Sequence, residues 1–188
     1  MAVPIKRGVN VEFTREIPGL TRIVAGVRFA AGAEKTLLDN LVLATLLCDK
    51  HRKILGPEHF VFFNQLTTPE ESVTERDTAL GTDTEQVEID LAHVPAAVER
   101  IVLVAYVNDG LAAKRTFSQL KDCTVRLLNA NGNGEIVVSE NLAPAFSTET
   151  AAVLAEVYRY GQHWKFKVVG EGYANGIAGI ARDYGLPL

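Results

Sequence analysis

The 188-residue sequence is poor in several things, and each shortage closes off a class of protein. Its two cysteines, Cys48 and Cys123, each sit inside an apolar run. Two buried free thiols are therefore expected rather than a disulfide framework, as suits a reducing cytosol. No stretch reaches the roughly 20 consecutive apolar residues that span a bilayer, so no integral membrane segment is expected. The opening MAVPIKRG lacks the apolar core of a signal peptide, which points to a soluble cytoplasmic chain. Lysine and arginine are not clustered and the net charge is −4, which argues against a nucleic-acid surface. No serine or cysteine stands in a nucleophile-elbow sequence, and His51, His59, His93 and His163 are scattered over turns and strand edges, reading as surface residues. The glycine-rich pieces GEGYANG and NGNG lack the strand–glycine–helix spacing of a phosphate loop. There is no internal repeat, low-complexity tract or linker, and the chain is large enough for one domain over residues 1–188 to bury its own core.

What is present is a succession of short apolar runs separated by turn residues. Val11–Thr14 and Leu20–Phe29 read as strands around Pro18-Gly19, and Ala30–Thr36 as a loop. Leu37–Cys48 is apolar on both sides, so it is a strand covered on both faces or a buried helix. Phe60–Leu66 reads as an aromatic strand, Thr67–Glu85 as one long loop, Gln86–Leu91 as a half-exposed strand, and Pro95–Ala97 as a helical turn. Ile101–Val107 is a central strand, and Leu111–Leu120 a loop or short helix. Thr124–Leu128 and Glu135–Val138 flank an Asn-Gly turn. Val153–Tyr160 and Trp164–Val169 form a hairpin around Gly161-Gln162-His163; a helix is the rival for the first arm, but its tyrosines call for cross-strand partners that Trp164 and Phe166 would supply. A short helix through Ile177 and Ile180 stops at Gly185 and Pro187. The sum is an all-β fold, a two-sheet β-sandwich with one or two short helices, one of them near the C-terminus.

Several segments together resemble the TerD family of tellurium-resistance and stress-response proteins: GVNVEFTREIPGLTRIVAGV, HFVFFNQLTTPEESV, VEIDLAHVPAAVERIVLVAYVND and STETAAVLAEVYRYGQHWKFKVVGEGYANG. The resemblance covers essentially the whole chain. It implies a cytoplasmic β-sandwich without an established reaction, acting with other proteins of a stress-response complex, and in many members binding Ca²⁺ through loops at one end of the sandwich. The family supplies an aspartate after its first long strand, an Asp-x-Asp pair entering the next, and an acidic loop before the VEIDL strand. Those positions fall here on Ala30, on Asn40 and Val42, and on Asp77 and Asp83-Thr84-Glu85; Asp39 lies one residue out of register, and the acidic position after the central strand is Asp109. The candidate metal set is therefore Asp39, Asn40, Asp77, Asp83, Glu85 and Asp109. A hard divalent cation wants six to eight oxygens, so the expectation is a degenerate calcium site on a non-enzymatic scaffold that needs no cofactor. The alternative is a functional calcium sensor of the same family.

Three further patterns turn on chemistry alone. Asn129, Asn131, Asn133, Gly134 and Glu140 match an EF-hand spacing, but with a neutral first position and a strand where a helix should begin, a hairpin turn explains them. Asn108-Asp109 with Arg115 and Phe117 forms a candidate interaction site, with a turn as the simpler role. Of Phe60, Phe62, Phe63, Tyr106, Tyr158, Trp164 and Phe166, strand alternation turns about half inward.

Overall fold

Apolar residues at alternate positions, broken by Gly, Pro and Asn turns, organise the chain into antiparallel strands. The computed structural model describes residues 3–109 and 114–188. Among them the strands are β1 (Asn10–Val11), β2 (Arg22–Ala30), β3 (Leu41–Cys48), β4 (Phe60–Val61), β5 (Val73–Glu75), β6 (Glu85–Asp90), β7 (Arg100–Val107), β8 (Asp122–Asn129), β9 (Glu135–Val138), β10 (Ala151–Tyr160) and β11 (His163–Tyr173). Three short helices join them: α1 (Phe13–Glu16), α2 (Lys35–Asp39) and α3 (Ile177–Tyr184). One sheet runs β1-β11-β10-β7-β3-β4 and the other β5-β6-β2-β8-β9. This is the expected two-sheet architecture, with one helix more than expected.

The larger sheet is buried on both faces, which explains the composition of its central strands. One face of β3 sends Leu41, Leu43 and Leu47 into the space between the sheets. The other places Val42, Ala44, Leu46 and Cys48 in a second cluster under Ile180, Ala181 and Tyr184 of α3. A strand with no face in water loses its alternation; the run is strand over Leu41–Cys48, while its first residues, Leu37–Asp39, close α2. The last helix ends at Gly185, whose φ of 70° is left-handed, and Leu186 N–H returns to Ala181 O at 2.8 Å. The β10–β11 hairpin turns through Gly161 and Gln162 alone. Its cross-strand partners are cations rather than paired rings: Arg159 stacks on Trp164 at 4.4 Å and Lys165 Nζ on Tyr160 at 3.6 Å.

Local expectations fail where a side chain is claimed by tertiary contacts. Of Val11–Thr14 only Val11 is in a strand, the end of β1: α1 drops the fully buried Phe13 into the core, and Thr14 Oγ1 accepts the Trp164 N–H at 2.8 Å. The loop expected at Ala30–Thr36 holds for residues 31–34, and α2 takes its end together with the first residues of the run expected over Leu37–Cys48, anchored by buried Leu37. The aromatic strand stops at Val61, because Phe62 and Gln65 exchange backbone hydrogen bonds of 3.0 and 2.9 Å across a tight turn. The long loop contains β5. The helical turn falls at Leu91–His93, capped by Asp90, and not at Pro95–Ala97. Of the loop or helix expected at Leu111–Leu120, residues 111–113 lie outside the described residues; Phe117–Gln119 forms a single 3-10 turn.

Candidate functional site

The end of the sandwich where β3 and β6 begin and β7 ends carries a cavity of about 330 Å³. Three of the six candidate residues line it, Asp39, Asn40 and Glu85, together with Val42, Phe63 and Asn108. The fold brings them together because α2 ends at Asp39 and hands the chain to β3. Asn40 Nδ2 donates to Thr36 O at 2.8 Å, and Asn108 N–H donates to Asn40 O at 2.7 Å, fixing the end of β7 beside the start of β3. Glu85 reaches across from the smaller sheet, and its Oε2 accepts the Leu43 N–H at 3.1 Å.

Glu75 completes the group. It stands at the end of β5 opposite Val87, two positions from Glu85 along β6, so both carboxyls turn into the same gap. Burial first, and then the neighbouring Glu85 carboxylate, push Glu75 up to about 7; burial also raises Glu85, against the pull of the Leu43 N–H. Tyr106, on β7 nearby, is pushed up to about 12 by burial and by the same two glutamates. Two carboxyls so placed resist ionising together, so Glu75 gives up its proton near neutral pH and not near its ordinary 4.5. The long loop in the sequence hid Glu75; the Val73-Thr74-Glu75 alternation was its only signal.

This pair has a measurable pH signature. The folded protein retains a proton on Glu75 that the unfolded chain releases from its ordinary value of 4.5 upward. The unfolded state then binds fewer protons, so stability falls as pH rises from about 4.5 through about 7. Glu75→Gln removes that decline. Discounted for partial exposure, it should stabilise the protein by about 1–2 kcal/mol above pH 7, roughly 2–8 °C in Tm, and by nothing near pH 4. Thermal melts of both proteins across that range check it, and a constant difference at every pH would exclude the shared proton.

The other three candidates lie elsewhere. Asp77 is exposed on the loop before β6, and Asp109 is exposed in a turn with a φ of 56°. Asp83 faces the opposite side of the smaller sheet, where its side chain, 2% exposed, accepts from Arg126 Nε and Gln86 Nε2, each at 2.7 Å. The donors that do converge do not suit Ca²⁺. Glu85 already caps a backbone N–H, the Val42 side chain offers no oxygen, and among the described residues no three His, Cys, Asp or Glu side chains are grouped to hold a metal. The Asn108-Asp109 interaction site does not assemble either: Arg115 Nε donates to Glu34 at 3.2 Å, and Phe117 is fully buried edge-on to Phe146.

Elsewhere the titratable groups are tied into the framework. His59 is buried rather than on the surface, with Nε2 3.2 Å from Glu70 Oε2, whose other oxygen accepts from Ser72 Oγ at 2.9 Å. The carboxylate stands between imidazole and hydroxyl, and Ser72 is buried, so this row is not the histidine–hydroxyl contact that nucleophilic catalysis needs. On the outer face of the larger sheet, Glu156 of β10 is 3% exposed between Arg52 Nη1 at 2.7 Å and Arg100 Nη1 at 2.9 Å. Both cysteines are free and buried. No helix among the described residues is long and apolar enough to cross a membrane.

Comparison with known proteins agrees with this architecture. Over 196 residues, the whole of both chains, 35% of positions are identical to general stress protein 16U of Bacillus subtilis. The tellurium resistance protein TerD of Serratia marcescens is 32% identical over 99% of this chain and 98% of its own. A crystal structure of a TerD homologue from Streptomyces coelicolor superposes with a TM-score of 0.63 at 16% identity, covering 87% of this chain and 96% of that one. The family model described as the TerD domain matches residues 1–184, and the chain belongs to that family.

Proposed function

We propose that the chain is a non-enzymatic docking module of a cytoplasmic stress-response system, in which the end of the sandwich that would hold calcium has become a proton-sharing carboxyl pair. One observation carries this reading: Glu85, the best-placed carboxylate, faces Glu75 and caps Leu43 N–H instead of standing free. The stress-protein and tellurium-resistance names of the relatives support the setting. The Glu70 carboxylate that stands between His59 and Ser72 supports a role without catalysis.

Calorimetry and thermal melts with calcium test it. At about 1 mM Ca²⁺ a site with millimolar affinity stabilises the fold by less than about 0.5 kcal/mol, whereas a micromolar site gives roughly 4 kcal/mol at a thousandfold excess. The expected result is the small shift. Because Asp39, Asn40 and Glu85 do line one cavity, the second reading is a calcium sensor in which Glu85 leaves Leu43 for the ion. A Tm rise of several degrees at about 1 mM calcium would establish that reading and end the first.

A further inference from the structure

Lys167, Val169, Glu171 and Tyr173 occupy alternate positions of β11, so all four share the outer face of the larger sheet. With Arg52, Glu156 and two residues of α3, Asp183 and Tyr184, they line a cavity of about 330 Å³ that shares no residue with the one at the start of β3. Its two ends carry opposite charge. At one end Arg52 and Arg100 share the buried Glu156 carboxylate, one to each oxygen. Lys167 stands opposite Glu156 in the β10–β11 ladder and has no hydrogen bond or ion pair from its side chain among the described residues. Three cations on one anion leave positive charge uncompensated there. At the other end Tyr173 Oη donates to Asp183 Oδ2 at 2.9 Å, and Glu171, exposed two positions before Tyr173, has no ion pair among the described residues. Val169 separates the two ends along the strand. Arg52 is delivered to its end by strained backbone, with a φ of 62° in the left-handed region. Its turn is clamped on both sides: Asp49 Oδ1 accepts the His51 and Lys53 N–H groups at 2.8 and 3.1 Å, and Ile54 N–H donates to Tyr184 O at 2.8 Å. Strain of this kind persists where the surroundings hold a side chain in place for use.

We propose that this cavity binds a linear zwitterion, a free di- or tripeptide or an ω-amino acid of like length, with its carboxylate against Lys167 and Arg52 and its ammonium against Glu171 and Asp183. Charge sets the class. Arg52, Arg100 and Lys167 balance Glu156, Glu171 and Asp183, so neither a simple anion nor a simple cation is favoured by the site as a whole. A ligand with both charges gains at both ends, through charge-assisted hydrogen bonds. Spacing sets the length. Lys167 and Glu171 are four residues apart on one strand face, about 13 Å between Cα atoms. An α-amino acid carries both charges on one carbon and meets one end at a time, whereas an extended tripeptide is about 10 Å long and, with the reach of the two side chains, meets both. A volume of about 330 Å³ lies at the small end of ligand pockets and suits a molecule of that size. The site is a small-molecule site and does not depend on the docking-module reading.

The probe is unmodified trialanine, titrated into the isotope-labelled full chain and followed by amide NMR. The Val169 and Glu171 amides should shift and saturate, with a Kd near about 1 mM, as two partly solvated charge contacts allow. Acetylating the amino end or amidating the carboxyl end should each weaken binding roughly tenfold, and free alanine should bind as weakly as these. Lys167→Gln should weaken trialanine and the acetylated peptide alike. Glu171→Gln should weaken trialanine and leave the acetylated peptide unchanged, which fixes the orientation. An ε-aminocaproate titration separates the two sources: binding of either compound supports the site, and the tighter one identifies its ligand. The proposal is overturned if neither gives a saturable shift at those amides up to about 10 mM. It is equally overturned if the acetylated and amidated peptides bind as tightly as trialanine. Thermal melts show whether the variants fold, and if one does not, the ligand series on the parent chain decides the matter by itself.

Discussion

Replacing Gly26 by valine should lower Tm by roughly 6–12 °C, the loss expected of about 3 kcal/mol in a chain of this size. Gly26 lies in mid-β2 between Gln86 of β6 and Arg126 of β8. The space above its Cα belongs to Asp83, and a Cβ built there falls inside the Asp83 carboxylate. That carboxylate is bonded to Arg126 and Gln86, and Gln86 in turn accepts from Leu80 N–H at 3.2 Å and donates to Leu80 O at 3.0 Å. A side chain at Gly26 evicts a buried anion and leaves its partners facing one another without it. The decisive control is a double-mutant cycle. With Asp83→Ala the obstruction is gone, so Gly26→Ala should cost at least about 1 kcal/mol less than in the parent chain. Strict additivity would show that the loop before β6 does not depend on this contact.

Glu156→Ala should cost about 2–3 kcal/mol, or roughly 4–12 °C in Tm. The carboxylate is 3% exposed, and its removal leaves the Arg52 and Arg100 guanidinium groups opposite an apolar strand. Both arginines are partly open to water, 49% and 26% exposed, and regain some solvation, which keeps the estimate below that for a fully buried pair. Glu156→Gln preserves the shape and one acceptor and should cost less. Chemical denaturation of the three proteins at neutral pH measures this, and a loss under about 0.5 kcal/mol for the alanine variant would reduce the cluster to an ordinary surface ion pair. Ile54 N–H bonds to Tyr184 O at 2.8 Å, so loosening Arg52 should also loosen the contact between the turn after β3 and the last helix.

The parts of the fold that were legible in the sequence are those in which hydrophobic pattern and topology agree. β7 reads as central because it is apolar throughout, and it is flanked on both sides by strands. The terminal hairpin and helix read from Gly161, Gly185 and their flanking runs. What stayed hidden was decided by partners distant in sequence. Phe13 and Leu37 sit in helices of a turn or so, too short for a helical period to show and held by the core they enter. The candidate site was half legible. Asp39, Asn40 and Glu85 converge as their places at strand ends suggest, whereas Asp83 and Glu85, two residues apart, end on opposite sides of the smaller sheet. Asp83 lies over the outer face of β2, and Glu85 reaches the gap between the sheets. Composition shows that both are acids; only the strand register shows that one holds a loop down and the other caps an edge.

The two cysteines lie deep in apolar surroundings, Cys48 under the last helix and Cys123 between the sheets. Desolvation pushes both thiols up to about 12. At neutral pH the thiolate fraction is then about one in a hundred thousand, and it is the thiolate that attacks peroxides and disulfides. The polypeptide is in effect redox-silent: an oxidative shock that rewrites exposed sulfur chemistry across the cell would pass over this framework and leave its shape unchanged.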